Sequence, residues 1–151
     1  LKQPRYGGIE MKVTVFLTIF LVFCSLDVSA KSYKFTDSSY ADHSVRFTDS
    51  SYADHSVRFT TSSYADVSFR VTSSCSYADY KTTTSSYADA SIRFTNSSYA
   101  DVSIRITNSS YADVSIRITS SSYADHSICL RVDQDQEKII AAIYVLEFLD
   151  Q

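Results

Sequence analysis

Eight aspartates recur at one place in a repeated motif: Asp42, Asp54, Asp66, Asp79, Asp89, Asp101, Asp113 and Asp125 each close a Ser-Tyr-Ala-Asp tetrapeptide. A row of carboxylates suggests calcium, a hard cation that gathers several oxygen ligands. Repeat calcium sites add glycine and a second carboxylate, and most of these units have neither. The carboxylates are therefore expected to accept backbone N–H groups where a connector becomes a strand. Arginine follows four residues later in six units, at Arg46, Arg58, Arg70, Arg93, Arg105 and Arg117. These are expected to pair with neighbouring carboxylates on a wet face, at about 0–1 kcal/mol each.

His43, His55 and His126 stand directly after the aspartate, where an imidazole could ligate a metal. Val67, Tyr80, Ala90, Val102 and Val114 fill the same place in the other units, so no metal site and no cofactor are expected. No Ser-His-Asp, Cys-His or paired-carboxylate set stands apart from the repeat, and the chain is not expected to be an enzyme. Cys75 and Cys129 could form one disulfide if their Cα atoms come within roughly 5.5–6 Å, which spacing alone does not decide. Asn96 and Asn108 each open an Asn-Ser-Ser acceptor for N-glycosylation.

The tyrosines of the motif are Tyr40, Tyr52, Tyr64, Tyr77, Tyr87, Tyr99, Tyr111 and Tyr123, at intervals of 12, 12, 13, 10, 12, 12 and 12 residues. In consecutive stacked units their rings would lie about 4.7–4.9 Å apart, a structural spine rather than a sugar-binding surface. The Thr and Ser columns suggest ice binding, but the outward row reads Ser-x-Arg-x-Thr, and a long charged side chain spoils a flat face.

These residues must be positioned by the unit itself. "VSIRIT" alternates, with Val102, Ile104 and Ile106 on one side and Ser103, Arg105 and Thr107 on the other. Such alternation of β-branched residues predicts a half-buried strand. "NSSYAD" is its connector. Each unit is one element that must bury its apolar face against others. Both glycines and the only proline lie in the first ten residues, so the turns fall to Ser, Asn and Asp.

The ends differ. Residues 1–10 read as an upstream extension. Met11 opens "MKVTVFLTIFLVFCSLDVSA", with the basic start, short apolar core and small-residue cut site of a signal peptide spanning 11–30. The expected product, residues 31–151, is extracellular and keeps no stable membrane span. It carries 11 basic against 15 acidic residues, net −4, so nucleic acid is not an expected partner. Residues 31–131 form the β-repeat domain. The tail 132–151 predicts a C-terminal helix on the β core, with Asp133 and Gln136 as a capping-box variant. Ile139, Ile143, Leu146 and Leu149 or Asp150 trace one face, widened by Ile140, Tyr144 and Phe148. A last buried strand is the alternative for this tail.

"SYAD", an alternating strand such as "HSVRFT" and a Ser-rich connector together resemble the repeat of the septoid-knot (7(1) knot) domain family, from Phe35 to about Arg131. The resemblance implies an all-β domain whose strands wind through one another in a deeply knotted backbone. It implies no activity. The expectation is thus an all-β, twelve-residue β-repeat domain with a C-terminal helix, or alternatively a β-solenoid. Its expected function is that of a secreted, non-enzymatic protein, structural or binding an unidentified extracellular partner. The alternative is a surface-recognition solenoid for ice or carbohydrate.

Overall fold

The computed structural model describes residues 29–151; the upstream extension and the predicted leader through residue 28 lie outside the described residues. Nine short strands follow in chain order: β1 (Lys31–Phe35), β2 (His43–Phe47), β3 (His55–Phe59), β4 (Val67–Val71), β5 (Tyr80–Thr83), β6 (Ala90–Phe94), β7 (Val102–Ile106), β8 (Val114–Thr119) and β9 (His126–Cys129). Eight follow a Ser-Tyr-Ala-Asp motif. The ninth, β1, is the alternating "KSYKF", which has no such motif before it. The predicted cut after Ala30 falls immediately before this strand.

All nine pair in parallel and close into a barrel, in the order β1-β5-β9-β4-β8-β3-β7-β2-β6, with β6 returning to β1. No strand pairs with the one before or after it. One strand from elsewhere in the chain separates each consecutive pair: β6 lies between β1 and β2, and β7 between β2 and β3. The chain therefore passes almost twice around the ring, its second pass filling the gaps left by its first.

Stagger makes twelve-residue units compatible with parallel strands, which ordinarily need long crossovers. Ile92 of β6 is in register with both Phe35, the last residue of β1, and His43, the first of β2. The connector 36–42 thus moves sideways past one strand without returning a full strand length. Closure also leaves no sheet edge exposed.

The connectors explain the missing glycine. Ala41 N–H donates to Ser38 C=O at 3.3 Å, closing a turn, while Ser38 N–H donates to Thr36 Oγ1 and Tyr40 N–H to Ser38 Oγ, both at 3.2 Å. A turn of this kind, with side-chain oxygens bonding the backbone two residues on, works without left-handed residues. Among the described residues none has positive φ.

Period two sorts the strand side chains as the sequence predicts. Val45, Val57, Phe69, Ile92, Ile104, Ile116 and Ile128 point inward and are fully buried, with Tyr33 and Tyr80 completing one core residue per strand. The tail is helical, α1 (Gln136–Tyr144), continuing as a wider π-type turn over Val145–Leu149. Two expectations need correction. The N-cap is Asp135, whose carboxylate accepts from the N–H groups of Glu137 and Lys138, rather than Asp133, which stands too far ahead of the first turn. The helix also does not lie on the core through one face. Ile139, Ile140, Ala141, Ala142 and Ile143 are all fully buried, and five successive residues cover every direction around a helix. The inward side chains of all nine strands share a cluster with them, so α1 fills the barrel's lumen. Among the described residues no helix is long and apolar enough to cross a membrane.

Candidate functional site

The outward side of the barrel carries the repeated polar residues, and its organising partner is the serine two positions after each aspartate. Asp101 shows the pattern. Its Oδ2 accepts from Ser44 N–H at 2.6 Å and from Ser44 Oγ–H at 2.7 Å, while its own N–H donates to Ser44 Oγ at 2.9 Å. The same three-bond clasp joins Asp42 to Ser91, Asp54 to Ser103, Asp66 to Ser115 and Asp79 to Ser127. It also joins Asp89 to Ser32, Asp113 to Ser56 and Asp125 to Ser68. The expectation that aspartate bonds backbone N–H groups holds, but the groups belong to strands 48–57 residues away. Seven of the eight serines, expected on a wet face, are instead buried beneath the clasps, and Ser91 is half-buried. Their constancy after each aspartate was the available signal; the exception is the fourth unit, which has Lys81 in that place.

That exception matters. β5 is the strand without the serine, and β1 is the strand without the aspartate, having Ala30 there. β1 and β5 are neighbours, so both halves of one clasp are absent together, at the seam where the chain enters the ring. Backbone bonding continues across it, from Lys31 N–H to Asp79 C=O at 2.9 Å. Glu147, at the end of the lumen helix, accepts from Lys31 Nζ at 2.6 Å and from the Tyr33 hydroxyl. Burial, then the Glu147 bond, drives the Tyr33 hydroxyl's pKa well above its ordinary value. Tyr80, beside it in the core, is pushed up to about 12, first by burial.

The disulfide forms beside this seam. Cys75, in the connector before β5, bonds Cys129 at the end of β9, with Cα atoms 5.0 Å apart. Cys129 takes the place that arginine holds in other strands, and β9 is the other neighbour of β5.

At seven clasps, serine donors hold the carboxylate below the usual aspartate range. The Ser hydroxyl is the leading cause at Asp42, Asp54, Asp66, Asp89, Asp101 and Asp125, followed by the Ser backbone N–H. At Asp113 burial pushes upward most strongly, but the two Ser56 donors and nearby positive charge outweigh it.

The arginines do not form the expected ion pairs. Among the described residues the salt bridges are Lys31–Glu147 and Lys138–Asp135. The Nε atoms of Arg46, Arg58, Arg93, Arg105 and Arg117 are buried without a hydrogen-bond partner. Four of these arginines, Arg46, Arg58, Arg93 and Arg105, instead act on the clasp carboxylates Asp54, Asp66, Asp101 and Asp113 as nearby charge without direct contact.

The tyrosine spine is also absent. Tyr40, Tyr52, Tyr64, Tyr87, Tyr99, Tyr111 and Tyr123 are 93–94% exposed and Tyr77 is 87% exposed. Stacked rings would cover one another, and consecutive units, which would have stacked them, are not neighbours. His43, His55 and His126 begin their strands on the inward side; His126 packs against the Phe69, Tyr80 and Phe148 rings. This explains why Val and Tyr occupy that place in other units. Among the described residues no cluster of His, Cys, Asp or Glu is arranged to hold a metal. Asn96 and Asn108 are exposed on connectors and border two shallow clefts of about 440 and 410 Å³, beside Arg93 and Arg105.

These features define a closed, parallel β-repeat barrel with a helix in its lumen, clasped across the ring and edged by exposed tyrosines. No protein-family model matches the chain, and no curated protein sequence is similar to it.

Proposed function

We propose that this is a secreted, non-enzymatic scaffold whose interlaced and knotted backbone gives it durability outside the cell, and which acts by binding or by structural presence. The observation that carries the proposal is the alternation of the two passes around the ring, each strand of one pass clasped to strands of the other. A chain held this way has few segments that can open alone, and local opening is what exposes backbone to proteases. The leader-like segment at 11–30, the disulfide and the resemblance to septoid-knot domains support the same reading. The eight clasps occupy the residues most able to do chemistry, which supports a non-catalytic role.

Limited proteolysis of the natively purified, disulfide-bonded protein tests this. Residues 31–151 are expected to survive protease conditions that fragment an unfolded control of the same sequence within minutes. Degradation at the control's rate would remove the proposal. Ice recognition gains no support, because the connector threonines spend their hydroxyl oxygens accepting bonds from serine N–H groups.

A further inference from the structure

We infer that the eight exposed tyrosines form a stacking surface for an uncharged, extended polysaccharide, an inference that rests on the reading of this barrel as a non-catalytic extracellular scaffold. Leaving an aromatic ring in water forfeits the free energy its burial would supply. Here that occurs in every unit, and no aromatic pair among the described residues includes one of these rings. Their hydroxyls likewise make no hydrogen bond within the described residues. The fold has no internal use for them.

The backbone beneath each ring is nevertheless tied down. At Tyr99, the tyrosine N–H donates to Ser97 Oγ at 3.1 Å, Ala100 N–H donates to Ser97 C=O at 3.4 Å, and the next residue, Asp101, is clasped to Ser44. A ring carried on a fixed turn loses less entropy when it binds than one on a mobile loop.

The neighbouring residues indicate the occupant. Two serines precede the tyrosine in seven of the eight units, and alanine follows it in all eight. The rings are separate, so they do not make the continuous, water-excluding centre that a protein partner requires. The turns carry no cation, and an aspartate stands two residues after every tyrosine, which disfavours phosphate polymers and anionic membranes at the rings. Separate apolar faces bordered by hydroxyls suit pyranose rings, whose faces present C–H groups and whose edges present hydroxyls. In ring order the tyrosines precede eight successive strands, from β5 around to β6, so several can engage a single polymer and raise avidity by 10²-fold or more.

Retention of the disulfide-bonded protein on insoluble chitin and cellulose, with gel mobility in soluble β-glucan, tests the inference. At least one of the three is expected to bind, with binding surviving about 0.5 M salt, where charge attraction is screened. Changing Tyr40, Tyr52, Tyr99 and Tyr111 together to Ala is expected to weaken binding at least tenfold without lowering the thermal midpoint. The matching four-Phe variant is expected to bind, because it keeps the ring faces. Binding to none of the three, loss of binding in salt, or full binding by the four-Ala variant would each overturn the inference. If the protein resists protease but binds none of them, the scaffold reading stands and this one alone fails.

Discussion

Ser44 and Asp101 lie 57 residues apart and hold each other by three hydrogen bonds, each residue acting as both donor and acceptor. Neither is close to the other in its own unit. The bond network therefore measures closure of the ring rather than formation of a local turn. Asp101→Ala leaves the Ser44 donors without their acceptor and is expected to cost about 1–3 kcal/mol in denaturant unfolding. Ser44→Ala combined with Asp101→Ala is expected to cost clearly less than the sum of the single changes. Pairing Asp101→Ala with Asp66→Ala, from a different clasp, should be close to additive. Equal additivity in both cycles would contradict the clasp.

The arginines provide the contrast. Arg105 has no ion-pair partner among the described residues, and its Nε is unbonded. Arg105→Gln removes positive charge near Asp113 but no hydrogen bond or ion pair, and is expected to cost less than about 1 kcal/mol. A loss comparable to that of Asp101→Ala would restore the expected salt bridge.

Acid should weaken the barrel through seven carboxylates at once. Asp42, Asp54, Asp66, Asp89, Asp101, Asp113 and Asp125 have folded-state pKa values below their unfolded ones. The unfolded chain then binds more protons across that interval, so these groups stabilise the fold above the unfolded value, near pH 3.9. Their contribution falls as pH drops through the lowered folded values. Thermal midpoints followed from pH 7 to pH 2 should show this carboxylate contribution fading below about pH 4. No loss of stability in acid would mean that the serine donors do not favour the ionised form.

Reduction should act first at the seam. Cys75–Cys129 closes a loop spanning 54 residues, worth roughly 4 kcal/mol by the chain-entropy estimate. It anchors the connector that leads into β5, whose joint with β1 has no clasp. Adding reductant is expected to lower the denaturant midpoint and to speed hydrogen exchange in β1 and β5 before β3 and β7. Uniform exchange around the ring would show that the seam is as tight as the other joints.

The lumen helix is the remaining test of the core. Ile143 is fully buried, and Ile143→Ala is expected to cost about 2–5 kcal/mol in unfolding experiments. A loss below about 1 kcal/mol would place the helix outside the barrel.

What the amino-acid sequence determined by itself was local. Alternation of Val102, Ile104 and Ile106 with Ser103 and Arg105 specified a strand and its inward face, because side-chain period two is a property of any extended chain. The Thr and Ser residues specified turns without glycine for the same kind of reason: their bonds reach only two or three residues. The helix in the tail was legible, but its surroundings were not. An apolar stripe and a helix apolar on every side differ by a few residues such as Ala141 and Ala142, which suit either setting.

Only the tertiary structure decided which unit meets which. Near-identical units give Ser44 eight aspartates of the same chemistry from which to choose, and nothing local distinguishes Asp101 from Asp113. The choice follows from closing nine staggered strands around a helix in two passes, which places Ser44 beside a unit on the other pass. That same closure separates consecutive tyrosines and leaves them exposed. It also puts the missing serine of β5 and the missing aspartate of β1 at one joint, where two unrelated irregularities in the sequence become a single seam.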